Sequence, residues 1–279
     1  MSNSTTPTDV PAVTLSDGRK APQIGYGVYE LREGPECEDA VLGAIEAGYR
    51  HFDTAQHYYN EHSVAQAMRK SGLPREDFFV TTKTPWKITR ESIHAEVEAT
   101  LQRTDWGWID LYLMHWPTGD SVEAWKAMEE LVEMGKVRSI GVSNFTVKRF
   151  EEVHFPAGLS TPVVNQVELH PYFQQPELVR YCKSKGIRMM AYSPLARSEI
   201  EPAAELLEIA KKVGCTPAQV MLCWGLQRGF IILPKSRNHG RMRENLAVAS
   251  LELTDEQMET INGLDRNENV LTFRPGNFF

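Results

Sequence analysis

Short runs of β-branched and aromatic residues recur along this chain at intervals of about 30 residues, and segments of helical spacing fill the intervals. The runs are QIGYGV (23–28), YRHFD (49–53), FFVTTK (78–83), IDLYLMH (109–115), SIGVS (139–143), VVNQVE (163–168), RMMAY (188–192) and FIILPK (230–235). Between them, Val41, Ala44, Ile45 and Gly48 share one helical face, as do Ala124, Met128 and Leu131. Leu178, Tyr181 and Cys182 form another, and Leu206, Ile209, Ala210 and Val213 a fourth. Strand followed by helix, eight times without a Gly/Ser-rich linker, predicts one α/β domain folded as a closed (β/α)8 TIM barrel rather than a doubly wound sheet. The longer gap before the last strand holds two helices, 202–213 and 217–227, the second with Thr216 as N-cap and Pro217 at its first position. A hairpin turning at Ser16-Asp17-Gly18-Arg19 precedes the first strand and is expected to close the barrel bottom. Residues 1–11 read as a flexible lead-in, and 12–279 as the barrel with a short C-terminal tail.

Composition narrows the partners. The 279 residues carry 30 Lys plus Arg against 37 Asp plus Glu, a formal charge of −7, with no basic run, so neither a nucleic acid nor a membrane surface is the expected partner. Cys37, Cys182, Cys215 and Cys223 lack CxxC spacing and a nearby His to complete a zinc site. No apolar stretch has transmembrane length, and the first twelve residues lack a signal-peptide pattern. The expectation is a cytoplasmic, monomeric enzyme acting on a small molecule.

Active sites of such barrels sit where strands end and loops begin. The strand ends here are Asp53, Lys83, His115, Ser143 with Asn144, Gln166, Tyr192, and Lys235 with Ser236, all polar or ionisable. Seven strands ending this way predict a ligand site ringed by loops. The GYG at 25–27 is not a dinucleotide fingerprint, since no third glycine and no immediate helix follow; these glycines instead suit a strand that a ligand approaches closely.

The segments GYRHFDTAQHYYNE (48–61), IDLYLMHWP (109–117), KVRSIGVSNF (136–145), VNQVELHPY (164–172), AYSPL (191–195) and ILPKSRNHGRMRENL (232–246) resemble the signature blocks of the aldo-keto reductases. The resemblance runs in order over about residues 12–265 and is nearest to the small microbial members, of the prostaglandin F synthase and 2,5-diketogluconate reductase type. It implies reduction of aldehydes and ketones by NADPH, with a catalytic tetrad at Asp53, Tyr58, Lys83 and His115. Carbonyl reduction builds negative charge on oxygen, so a general acid must supply a proton. The resemblance makes Tyr58 that acid, although spacing alone would equally allow Tyr59. Lys83 would draw the phenol toward neutrality from its ordinary value near 10, Asp53 would keep Lys83 charged, and His115 would orient the carbonyl. His51 and His57 read as packing or rim residues outside the site.

By the same resemblance, Ser143, Asn144 and Gln166 would hold the nicotinamide carboxamide, and Tyr192 would stack on its ring. Ser193 and Leu195 belong to the loop that carries the pyrophosphate. Lys235, Ser236 and Arg241 would hold the 2′-phosphate, with Arg237 adding charge and Glu244 and Asn245 toward the adenine. Tyr29, Trp86 and Trp116 would line an apolar substrate pocket. Two departures stand out. Thr84-Pro85-Trp86 replaces the usual Leu-Trp, and Ala196-Arg197-Ser198 lacks the usual glycine, which leaves Arg197 as a candidate pyrophosphate contact. Two other classes are a barrel lyase forming a Schiff base on Lys83 and an NADPH-sensing subunit with little turnover; a charged Lys83 argues against the first.

Overall fold

In the computed structural model, which describes residues 10–86 and 88–271, hydrophobic alternation and helix caps divide the chain where the sequence suggests. The hairpin comes first: β1 (Ala12–Thr14) pairs antiparallel with β2 (Lys20–Pro22), and its turn is closed by the Leu15 amide on the Arg19 carbonyl at 2.8 Å. Gly18 supplies the left-handed residue that this tight reversal needs, at φ 87°. The barrel strands follow as β3 (Tyr26–Gly27), β4 (His51–Asp53), β5 (Phe79–Lys83), β6 (Ile109–Met114), β7 (Val137–Ser143), β8 (Val164–Glu168), β9 (Arg188–Tyr192) and β10 (Ile231–Ile232). They form one parallel sheet in sequence order. A parallel bridge from Ile24 to Ile232 closes it, with Gly25 N–H on the Ile232 carbonyl at 2.9 Å and Ile232 N–H on the Gln23 carbonyl at 2.8 Å. The first and last strands are shorter than their apolar runs, because each pairs regularly on one side and only at that seam on the other.

The helices are α1 (Pro35–Ala47), α2 (Glu61–Lys70), α3 (Arg90–Thr104), α4 (Ser121–Glu133), α5 (Val147–Arg149, running into a π turn at Phe150–His154), α6 (Pro176–Ser184), α7 (Ala204–Val213), α8 (Pro217–Gln227), α9 (His239–Leu246) and α10 (Asp255–Asn262). Their buried faces are the expected ones, such as Ala40, Val41, Ala44 and Ile45 on α1. Thr216 caps α8 in a reciprocal box with Gln219. The predicted start at 202 moves to Ala204, since residues 201–203 are extended rather than helical.

Successive strand residues point alternately outward, to the helices, and inward, to the barrel axis. Outward Tyr112 and Met114 join the helical core, while inward Leu111 and Leu113 pack with Phe79, Val164, Met190, Ile231 and Leu233. Leu15 and Ala21 of the hairpin complete this inner cluster, and Asp17 accepts the Ser139 hydroxyl at 2.6 Å. The hairpin therefore plugs the bottom of the barrel. Of the expected lead-in, residues 1–9 lie outside the described residues, and Pro11 is tied down through its carbonyl to the Gln23 amide at 2.7 Å. Phe273, Phe278 and Phe279 of the tail also lie outside them.

Two glycines are set by the crowding of the inner cluster. A Cβ on Gly141 would stand 2.8 Å from the Val164 carbonyl oxygen and 2.7 Å from Leu113 Cδ2, and one on Gly25 would stand 2.7 Å from Leu233 Cδ2 and 2.9 Å from the His51 ring. Gly25 thus makes room for packing; it is Gly27 that borders the cavity above. Gly141→Ala should cost about 1–3 kcal/mol by overpacking, lowering Tm by roughly 2–4 °C per kcal/mol in a chain of this size. Calorimetry of the variant showing an unchanged Tm would refute the packing assignment.

Candidate active site

The inward parity that fills the barrel with apolar side chains carries, one step higher, every polar strand end. Asp53, His115, Ser143, Gln166, Tyr192 and Lys235 all line one cavity of about 660 Å³ at the C-terminal face, and Lys83 lies beneath it, fully buried. The Lys83 ammonium donates to Asp53 Oδ1 at 2.6 Å, to the Thr54 carbonyl at 2.8 Å and toward the Tyr58 hydroxyl at 3.5 Å. Asp53 Oδ2 accepts from Gln166 Nε2 at 2.7 Å, across the barrel. Tyr58 and His115 meet edge to face, ring centroids 5.7 Å apart. The four residues of the expected tetrad are therefore one cluster.

The turn that presents Tyr58 is built by its motif neighbours. A 3-10 turn spans Gln56–Tyr58 and ends at Tyr59 in the left-handed region, φ 55°. Asn60 accepts the Thr54 hydroxyl at 2.7 Å and donates to the Val28 and Leu31 carbonyls, both at 2.9 Å. Glu61, buried, accepts the Thr82 hydroxyl at 2.6 Å and is paired with Arg103. Tyr59 is 70% exposed, which settles which tyrosine faces the cluster.

Electrostatics depart from the expectation in one respect. Loss of water on burial pushes the Tyr58 phenol well above its ordinary value, and the Asp53 carboxylate pushes it the same way. Lys83, itself lowered by burial and supported by Asp53, stands 3.5 Å from that hydroxyl, but the net shift of the phenol is upward. His115 falls well below the usual imidazole range, through burial first and then the charges of Lys83 and His57. Its Nδ1 is buried without a hydrogen-bond partner among the described residues.

The cavity wall beyond the tetrad divides by chemistry. Ser143 Oγ donates to the Gln166 carbonyl at 2.8 Å, Asn144 Nδ2 to the His115 carbonyl at 3.0 Å, and the Tyr192 hydroxyl to Asn144 Oδ1 at 2.9 Å. Asn144 holds the left-handed region at φ 61°. The wall continues through Ser193, Pro194 and Leu195 to Arg197 and Lys235. Here Ser193, Ala196, Arg197 and Ser198 all have φ between 48° and 58°, a conformation costing non-glycine residues of the order of 1 kcal/mol each. The missing glycine is thus met by strain. Ser236 follows Lys235 and accepts the Asn238 amide at 3.0 Å; Asn238 caps α9 by accepting the Arg241 amide at 3.0 Å. Arg241 is exposed, Asn245 is buried, and Glu244 accepts the Thr216 hydroxyl at 2.7 Å. Ser236, Arg241, Glu244 and Asn245 lie beyond the cavity lining itself. Arg237 does not add a free charge: it pairs with Glu36 at 2.7 Å and donates to the Glu30 carbonyl at 2.8 Å.

On the other side stand Tyr29, Trp86 and Trp116 as expected, with Tyr29 and Tyr58 rings 4.9 Å apart. Several lining residues are not assigned to the site from sequence, His57, Glu30 and Leu271 among them. His57 stacks on Trp86 with centroids 3.7 Å apart, and a carboxylate, Glu30, reaches Arg197 at 2.8 Å and Lys235 at 3.8 Å. Leu271 closes the wall from the C-terminal segment. His57 adjoins the motif tyrosine, which was its one sequence signal. His51 is a packing residue: Nδ1 donates to the Pro22 carbonyl at 3.1 Å and Nε2 meets Thr81 Oγ1 at 2.9 Å.

A parallel barrel with a buried Asp-Lys pair, a phenol and an imidazole at one cavity is an arrangement able to move a proton on a bound small molecule. The chain matches the Aldo/keto reductase family over residues 23–266. It is 45% identical to the 9,11-endoperoxide prostaglandin H2 reductase of Trypanosoma cruzi, over 96% of this chain and 95% of that protein. It is 41% identical to the 2,5-diketo-D-gluconic acid reductase B of a Corynebacterium species, over 92% and 94% of the two chains. The crystal structure of the Bombyx mori aldo-keto reductase in complex with NADP superposes with a TM-score of 0.87 at 32% identity, covering 95% of each chain. The chain belongs to the aldo-keto reductase family and is an oxidoreductase. Among the described residues, no helix is long and apolar enough to cross a membrane, and no cluster of metal-ligating side chains occurs.

Burial lowers the folded-state pKa of both His51 and His115, so each is neutral where a free histidine is protonated. The unfolded chain then binds more protons below about pH 6.5, and stability falls as pH falls through that range. Each histidine contributes a slope of up to about 1.4 kcal/mol per pH unit. Urea unfolding midpoints should drop between pH 7.5 and 5.5; equal midpoints would contradict the burial of neutral imidazoles.

Proposed function

We propose that this enzyme reduces aldehydes and ketones to alcohols at the expense of NADPH, in the cytoplasm and as a monomer. The observation that carries the reading is the Asp53–Lys83–Tyr58–His115 cluster at a cavity whose wall also bears Lys235 and Arg197. The donor set fits a nicotinamide dinucleotide. Ser143, Asn144 and Gln166 are amide and hydroxyl partners for a carboxamide, Tyr192 offers an aromatic face, and the Ser193–Leu195 loop leads to cations suited to phosphate. Lys235, Ser236 and Arg241 are the proposed partners of the 2′-phosphate, with Glu244 and Asn245 on the adenine side. When bound, NADPH supplies a hydride to the carbonyl carbon.

The remaining chemistry belongs to the chain. A phenol held above its ordinary pKa stays protonated at working pH, so Tyr58 is loaded as a donor. As negative charge grows on the carbonyl oxygen, Tyr58 delivers its proton, and Lys83 at 3.5 Å stabilises the phenolate left behind. In stabilising the phenolate, Lys83 opposes the rise that burial imposes on the phenol. Neutral His115 with its proton on Nε2 leaves only a lone pair at the buried Nδ1, and can donate to the carbonyl oxygen. Asp53 holds Lys83 charged. A Schiff base on Lys83 is disfavoured, because a nucleophilic amine would have to abandon Asp53, the Thr54 carbonyl and Tyr58.

An NADPH-oxidation screen over aromatic aldehydes, α-keto esters, sugars and quinones tests the reading; tight NADPH binding without consumption on any of them would favour a sensing role instead. Tyr58→Phe should keep NADPH affinity while turnover falls by roughly 10²–10⁴-fold, the usual share of a general acid, and near-normal turnover would remove Tyr58 from that role. Arg197→Ala should raise the NADPH dissociation constant, measured by fluorescence titration. An unchanged constant would mean that Arg197 serves only its ion pairs with Glu30 and Glu199.

A further inference from the structure

Another buried carboxylate stands at the top of the barrel, and the proposed reaction makes no use of it. Glu168 ends β8, two residues beyond Gln166, and its side chain is 4% exposed. No lysine or arginine pairs with it among the described residues. Its donors are instead the Val270 amide on Oε1 at 2.6 Å, the Leu271 amide on Oε2 at 3.0 Å, and His170, whose Nε2 lies 3.0 Å from Oε1. The segment that follows α10 is neither helix nor strand, and apart from the Asn267 amide on Asp265 Oδ1 at 3.1 Å its bonded amides reach outside it. The Tyr172 carbonyl, in the loop after β8, accepts the Arg266 and Glu268 amides at 3.1 and 3.0 Å, and Glu168 accepts those of Val270 and Leu271. A carboxylate suits this task because each oxygen accepts one amide of an extended segment in a charge-assisted bond.

Leu271 is where that stitching ends, and it sits at a partition. It lines the main cavity and also a second cavity of about 90 Å³, and Trp116, Asn144 and Tyr192 border both. Glu168 itself lines the smaller cavity. We infer that Glu168 is a positioning residue for substrate size: by fixing the Val270 and Leu271 amides it holds Leu271 as the wall between the two cavities, and so restricts the site to compact carbonyls of about one ring. This rests on the carbonyl-reductase reading above. With the cofactor occupying the Tyr192-to-Lys235 half of the main cavity, the space behind Leu271 is the room into which a larger substrate would extend.

The test compares wild type, Leu271→Ala, Glu168→Gln and the double variant with benzaldehyde and 2-naphthaldehyde, with the NADPH dissociation constant as control. The kcat/KM ratio of naphthaldehyde to benzaldehyde should rise at least fivefold in each single variant, chiefly through KM for the larger aldehyde, at unchanged NADPH affinity. The double variant should exceed neither single by more than twofold, because both remove the same wall. Val270→Pro, which deletes one donor without touching the barrel, should shift the ratio in the same direction and serves if Glu168→Gln does not fold. An unchanged ratio in Leu271→Ala would overturn the wall. A shift in Leu271→Ala with none in Glu168→Gln or Val270→Pro, or fully additive effects, would overturn the role of Glu168. Wild-type turnover of benzaldehyde with an invariant ratio defeats this inference alone, whereas absence of any carbonyl-dependent NADPH oxidation defeats the proposed function and this inference with it.

Discussion

A lysine ammonium with 1% of its side chain exposed is the constraint around which this barrel is arranged. Removing such an ion from water costs several kcal/mol even after relaxation, and Lys83 offsets it with three oxygens: Asp53, the Thr54 carbonyl and the Tyr58 hydroxyl. Each of these must then be held. The second oxygen of Asp53 is satisfied by Gln166 from the far side of the barrel. Thr54 is fixed by Asn60, which also grips the Val28 and Leu31 carbonyls and so places the Tyr29 loop. The placement of Tyr58, of the Gln166 amide and of one wall of the pocket follows from solvating a single buried charge.

Most of this was legible in the chain because one rule, side chains alternating with period two, governs both core and site. Lys83 lies two residues above Thr81 and four above Phe79, and Lys235 two above Leu233, so a residue's parity with the inner apolar set already assigns it to the interior. What stayed hidden has no periodicity. Glu30 and Arg197 are loop residues whose pairing depends on how two strained connections cross. Leu271 is an ordinary apolar residue until Glu168 captures its amide. The direction of the Tyr58 shift could not be read either, since spacing shows that a cation is near but not that water is absent.

The two halves of the cavity solve opposite problems. On the side proposed for the cofactor, the cations Arg197, Lys235 and Arg237 are balanced by Glu30 and Glu36, in keeping with a chain of net charge −7 that gathers its positive charge locally. On the other side, Tyr29, His57, Trp86, Trp116 and Leu271 present faces without formal charge, since burial keeps His57 below the ordinary imidazole range. A neutral acid working beside a neutral imidazole suits a reaction whose charge appears only as the bond to oxygen changes.

The seam between β3 and β10 carries a consequence for how the protein is made. Ile24 and Ile232 meet there although more than two hundred positions separate them along the chain, and Gly27 and Lys235 border the cavity from its two sides. A polypeptide leaving the ribosome therefore has the Asp53–Lys83–Tyr58–His115 cluster encoded long before Lys235, the cation proposed for the cofactor's phosphate. Ligand affinity should arrive late and all at once, with the last strand, so that a truncated or stalled product competes poorly with the finished enzyme for the nucleotide pool.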